Sequence, residues 1–127
     1  MSEFDATTWT APAGIDHPYE GIERRVLANT DEMMLVHYSV SAGSVFPEHE
    51  HDETIQAVYV VDGCVELTGD HERTLATGDS FVVHSGVRHG IEGVAPRSQL
   101  LDAFAPPIER YRSSADATAD SNPTNRQ

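Results

Sequence analysis

The stretch GSVFPEHEHDETIQ, running from Gly43 to Gln56 and followed by six residues and Gly63, decides how this chain is read. It holds His49 and His51, separated by one residue. Alternate side chains of a strand share a face, so this spacing points both imidazoles the same way, about one metal-site width apart. Imidazole suits Zn, Ni, Cu or Fe(II). A solvated polar loop between strands is the alternative for such a pair standing alone. A second stretch, GDSFVVHSGVRHG from Gly78 to Gly90, adds His89 after a strand and a tight turn. Five of the seven histidines fall between His49 and His89, so the histidine content is concentrated where these two stretches lie.

Outward from this centre the chain reads as short strands. Runs rich in Val, Ile, Leu, Tyr or Phe cover roughly Ile22–Ala28, Met33–Ser41, Ile55–Val61, Cys64–Thr68, Arg73–Ala76, Ser80–Val83 and Ser98–Phe104. Each ends near Gly, Asp, Asn or Pro. Asp62-Gly63, Gly69-Asp70 and Gly78-Asp79 are turn candidates. No long run carries a helical period. Many short strands with close turns predict an all-β sandwich or barrel. Residues 1–19, with Pro12, Gly14 and Pro18, read as an irregular N-terminal arm anchored by Trp9; residues 20–112 form the barrel. Residues 113–127 (SSADATADSNPTNRQ) hold no large apolar side chain and are expected to be disordered.

Composition narrows the function. A chain of 127 residues fits one domain with its own core. Asp and Glu number 21 against 8 basic residues, all arginine, for a net charge of −13. Such a field repels phosphate backbones and anionic lipid heads, which disfavours nucleic-acid and membrane-surface partners. Excess acid without lysine also reads as a salt-adapted (halophilic) surface; an ordinary acidic protein is the alternative. Cys64 is the only cysteine, so no intramolecular disulfide forms. No apolar run approaches the ~18 residues of a membrane span. The first twenty residues lack the basic start and apolar stretch of a signal peptide, and a cytoplasmic protein is expected.

The two histidine-bearing stretches resemble the two motifs of the cupins. In the first, Gly43, His49, His51 and Gly63 stand at the family spacings, with Gln56 where glutamate is usual. In the second, Gly78, Gly86 and His89 fit, while His84 replaces a proline and Gly93 an asparagine. The resemblance implies a cupin double-stranded β-helix, an antiparallel jelly-roll barrel with one divalent transition metal (Ni, Zn, Fe or Mn) inside one mouth. It implies His49, His51, Gln56 and His89 as ligands. A cupin that has lost its metal is the competing view. Glu53 shares strand parity with the histidines and is the alternative to Gln56, which keeps the six-residue gap to Gly63. An amide oxygen cancels none of the ion's charge. A three-His, one-Gln set leaves a stronger Lewis acid and departs from the two-His, one-carboxylate pattern of iron oxygenases.

Beyond the motifs the chain is similar to the KdgF group of small pectin-degradation cupins. The likeness lies in Gly21-Ile-Glu-Arg-Arg-Val-Leu27, in the Gln of the ligand set, and in Leu100-Leu-Asp102-Ala-Phe104-Ala-Pro106, and it spans about residues 20–111. It implies linearisation of 4,5-unsaturated uronates, with Asp102 and Phe104 lining the site and an arginine after the proline. Ile108 occupies that arginine's place, and Arg110, two residues further on, is the candidate substitute. Asp102 shares a strand face with Leu100 and Phe104, so it can point into a barrel; a strand-end carboxylate tied to a backbone N–H is its other reading. A small anionic sugar is the expected partner, and a homodimer using the N-terminal arm and Trp9 is a family expectation. Two other functions stay open. One is a metal-dependent cupin dioxygenase, the other a non-catalytic small-molecule-binding cupin. His84 reads as a rim residue, His37 as barrel-lining or hydrogen-bonded, His17 and His71 as loop residues, and Cys64 as a small strand residue. Arg24, Arg25 and Arg88 read as surface charges that can meet an anionic substrate.

Overall fold

Apolar side chains recur at every second position of the longer strands, and these sets face one another across a single core. In the computed structural model, which describes residues 3–112, ten strands and one short helix follow in order: β1 (Gly14–Tyr19), β2 (Ile22–Asn29), β3 (Met34–Ser41), β4 (Val45–His49), β5 (Ile55–Asp62), β6 (Cys64–Gly69), β7 (Arg73–Ala76), β8 (Ser80–Val83), β9 (His89–Gly93), β10 (Arg97–Ala105) and α1 (Glu109–Arg112). They form two antiparallel sheets, a six-stranded one in the order β1-β2-β3-β10-β5-β8 and a four-stranded one in the order β4-β9-β6-β7. This is the all-β fold that the strand pattern predicts, in the antiparallel jelly-roll form that the cupin resemblance implies.

The larger sheet contributes Ile22, Val26, Met34, Val36, Val40, Val58, Val60, Leu100 and Phe104 to the core, and the smaller contributes Val65, Leu67 and Leu75. The same inward rows also carry polar residues: Asp16, Arg24, Gln56 and Asp102 are all buried. Inward polar positions among apolar ones are where a barrel keeps its chemistry, because each must find a partner in place of water.

Three strands differ from the sequence expectation. β1 lies within the stretch read as an irregular arm. It forms because Gly14, Ile15 and Asp16 pair with Val26, Arg25 and Arg24 of β2, and pairing overrides the weak strand preference of Gly and Pro. β4 and β9 contain Pro47, Gly90 and Gly93, and they are held by each other and by β6. Gly93 has a positional reason: a Cβ there would lie 2.2 Å from the Ser41 carbonyl oxygen. Trp9 packs on its own chain, edge-on to His37 at 4.8 Å and beneath the Arg25 guanidinium at 4.0 Å. His37 therefore sits on the outer face of β3 under the arm, its Nε2 bonded to Gln99 Oε1 at 3.0 Å; it does not line the barrel. The expectation of a disordered tail concerns residues outside those described. Among the described residues no helix is long and apolar enough to cross a membrane.

Candidate metal centre and active site

His49 closes β4 and His89 opens β9, and the two are register partners across the small sheet. Their ring centroids lie 4.3 Å apart. His51 follows two residues after His49, beyond the strand end, with ring centroids 4.9 Å from His49 and 5.1 Å from His89. One ligand atom from each imidazole falls within 4.8 Å of the others. Gln56 comes from the opposite sheet, near the start of β5, and its Oε1 lies 2.9 Å from His51 Nε2 and 3.0 Å from His89 Nε2. The centre is thus clamped between the two sheets. All four side chains are buried.

The hydrogen bonds fix the chemistry of this donor set. His49 Nδ1 donates to the Pro47 carbonyl at 3.0 Å and His89 Nδ1 to the Val87 carbonyl at 2.9 Å. A carbonyl oxygen only accepts, so the proton of each neutral ring is on Nδ1 and the lone pair on Nε2. Such backbone contacts are how proteins orient metal-binding imidazoles. His89 Nε2 then faces Gln56 Oε1 with a lone pair on both atoms. The Gln56 amide cannot resolve the clash, because its Nε2 donates to Asp102 Oδ2 at 2.8 Å. A positive charge between the two atoms would resolve it. Protonation is disfavoured, since burial lowers the His89 pKa and, with His89 and His51 nearby, pulls that of His49 down to about 3. A divalent metal ion fits this arrangement of lone pairs.

Asp102 stands beside the ligands on the inner face of β10. It is 3% exposed, and its Oδ1 is buried without a hydrogen-bond partner. Burial pushes its pKa up to about 8, against the opposing effect of the Gln56 bond. Phe104, two residues on, packs edge-on against His51 at 5.9 Å and Tyr111 at 5.6 Å. Asp102 and Phe104 line a cavity together with Tyr38, Phe46, His49 and His89. The space in it open to a water-sized body is about 30 Å³, and it opens to solvent.

Not every candidate arrives here. Glu53 is exposed, because the chain bends at Asp52 and Glu53 after His51 and breaks the strand parity that made it an alternative ligand. Ile108 is 1% exposed in the core, so the position after the proline serves packing. Arg110 does not line the cavity, yet its charge acts on His49 and Tyr19. Arg25 is held by the Trp9 carbonyl at 2.6 Å, and Arg88 by Glu48 at 3.2 Å. Arg24 is buried and bound to Asp16, so it is not the surface charge its type suggests. His17, His71 and His84 are exposed. Sequence reasoning missed Tyr38 and Tyr111 as cavity residues. The alternation of Met34, Val36, Tyr38 and Val40 along one strand carried the signal for Tyr38; Tyr111 lies outside any strand and gave none.

Two facing antiparallel sheets with three histidines and an amide gathered between them define a barrel of the cupin class. Residues 36–98 match the cupin domain model, and the chain belongs to the cupin family. Within it, the chain is similar to the pectin degradation protein KdgF of Dickeya dadantii (strain 3937), with 32% identity over 88 residues, covering 68% of this chain and 80% of that protein. The solved structure of KdgF from Halomonas sp. superposes with a TM-score of 0.73 at 31% identity, covering 76% of this chain and 91% of that one. A quercetin 2,3-dioxygenase of Bacillus subtilis (strain 168) is 35% identical over 72 residues, 56% of this chain; the match spans 21% of that protein's length.

Proposed function

We propose that this cupin linearises 4,5-unsaturated uronates, the monosaccharides left when lyases cleave pectin-like chains. The observation that carries the reading is Asp102 Oδ1: a carboxyl oxygen without a hydrogen-bond partner, buried in the wall of the cavity that holds the histidines. Similarity to KdgF supports it. The ring substrate carries a hemiacetal at C1 and an enol ether across C4 and C5. Linearisation moves one proton. C4 takes up a proton and C5 becomes cationic. Loss of the C1 hydroxyl proton then forms the aldehyde, the C1–O5 bond breaks, and its electron pair completes a ketone at C5.

A resting acid with a pKa near 8 suits this order. Asp102 Oδ1 holds the proton given to C4, and the resulting carboxylate takes the proton from the C1 hydroxyl, so the residue returns to its starting state. A divalent ion (Ni, Zn, Fe or Mn) held by His49, His51, His89 and Gln56 supplies Lewis-acid polarisation of a substrate oxygen. Gln56 joins the two roles by bonding to Asp102 on one side and facing the imidazoles on the other. Phe104 walls the cavity, and Arg110, outside the cavity lining but with a charge that reaches His49, would attract the substrate carboxylate from there.

The test is the decay of the conjugated chromophore of an unsaturated uronate. Metal-loaded protein should outpace spontaneous ring opening; a rate equal to that in buffer rejects the reading. A second reading, a cupin dioxygenase, draws on the Bacillus relative. Oxygen uptake by Fe(II)-loaded protein with a phenolic substrate would select it.

A further inference from the structure

A row of three buried polar residues crosses the large sheet and ends in the cavity. Asp16 of β1 pairs in register with Arg24 of β2, and Arg24 with Tyr38 of β3. All three are at most 8% exposed. Arg24 donates to Asp16 through Nε at 3.0 Å and Nη2 at 2.8 Å, a two-pronged contact that fixes the guanidinium plane. The Tyr111 ring lies against that plane at 3.9 Å. Arg24 is the register neighbour of Tyr38, and its charge acts on the Tyr38 hydroxyl.

The neighbouring rungs show that the fold does not require this chemistry. On one side Ile22 pairs with Val40, and on the other Val26 pairs with Val36, apolar pairs that hold the same two strands together. A buried ion pair pays a desolvation penalty that apolar residues avoid. What the polar rung adds is a defined hydroxyl. Arginine has donors and no acceptor, so towards Arg24 the Tyr38 hydroxyl can only accept, and its own O–H is left to donate elsewhere. Tyr38 lines the cavity that Asp102 lines. Tyr38 is also register partner of Leu100, two residues from Asp102 on the same face of β10. Tyr38 and Asp102 therefore stand at diagonal positions of one cavity wall.

We propose that Tyr38 is a substrate-contacting residue, its hydroxyl donating to an oxygen of the uronate beside Asp102, with Arg24 and Asp16 as positioning residues behind it. This rests on the uronate reading above and adds to it a polar contact outside the two histidine motifs. Tyr38→Phe removes one oxygen and keeps the packing.

The experiment measures turnover of unsaturated uronate, calorimetric binding of galacturonate as a non-reacting probe, and metal content of the same samples. Tyr38→Phe should lower kcat/KM about tenfold, chiefly through KM, and weaken galacturonate about tenfold, as loss of one hydrogen bond predicts. Metal content should not change. Arg24→Lys should cause a smaller loss in the wild-type background and no further loss on top of Tyr38→Phe, a coupling that a purely structural role would not produce. Wild-type kcat/KM and galacturonate affinity in Tyr38→Phe overturn the proposal. A wild-type protein that binds galacturonate through Tyr38 without turning over the unsaturated sugar supports the contact and rejects the reaction. A protein that binds no uronate rejects both.

Discussion

His89 and Gln56 lie thirty-three positions apart, yet the resemblance of two short stretches to the cupin motifs implies that they meet, and they do. The histidines and Gln56 are legible because each sits at a fixed offset from a glycine. Asp16, Arg24 and Tyr38 follow no motif. Their meeting depends on the register of three strands, which one sequence does not specify. Glu53 shows the converse: parity holds only while the chain stays extended, and it bends after His51. Burial of the imidazoles gives a signed prediction. The folded-state pKa of His49, about 3, lies below the ~6.5 of a free histidine. Between these values the unfolded chain takes up a proton at this residue that the folded one refuses, so the His49 contribution to metal-free stability falls as pH drops from ~6.5 towards ~3. Asp102, whose folded pKa is raised to about 8, acts in the opposite sense over this range. The His49 share is therefore read as the difference between wild type and His49→Ala in urea unfolding from pH 7 to 4, with the variant losing less stability towards low pH. An unchanged slope in that variant would show that His49 contributes nothing to the linkage.

At the scale of elements, the long alternating strands were plain in the sequence, while β1, β4 and β9 were not, because Pro and Gly interrupt them and only pairing holds them extended. The motif glycines are legible for a steric reason. Gly63 adopts φ +108°, and a Cβ there would lie 2.7 Å from Ser98 Cα; Gly86 adopts φ +84° with nothing within 4 Å of that position. Both pay the left-handed backbone cost of ~1–2 kcal/mol on substitution by alanine, and Gly63 adds a backbone clash. Thermal melts should rank Gly63→Ala as clearly less stable than Gly86→Ala. Equal losses would show that the strand around Ser98 yields freely.

For the whole molecule, the all-β class followed from strand rhythm and the cupin barrel from the resemblance of the two histidine stretches, whereas the surface asks for a measurement. With a net charge of −13, self-repulsion opposes the compact state at low ionic strength. At ~1 M salt the Debye length shrinks to ~3 Å and that repulsion is screened. A halophilic surface predicts a melting temperature that climbs steadily from dilute buffer to ~2 M KCl, well beyond the ~0.15 M range where an ordinary acidic protein gains most of its screening. A flat profile would remove salt adaptation from the description without touching the site.

The function of the molecule turns on one side chain. Asp102→Asn keeps the shape of the cavity wall and removes the exchangeable proton. Chromophore decay and metal content should be measured on the same reconstituted sample. The rate on unsaturated uronate should fall ~100- to 10,000-fold with metal bound as in the wild type. Full activity in Asp102→Asn with metal in place would contradict the proton-carrying role given to this residue.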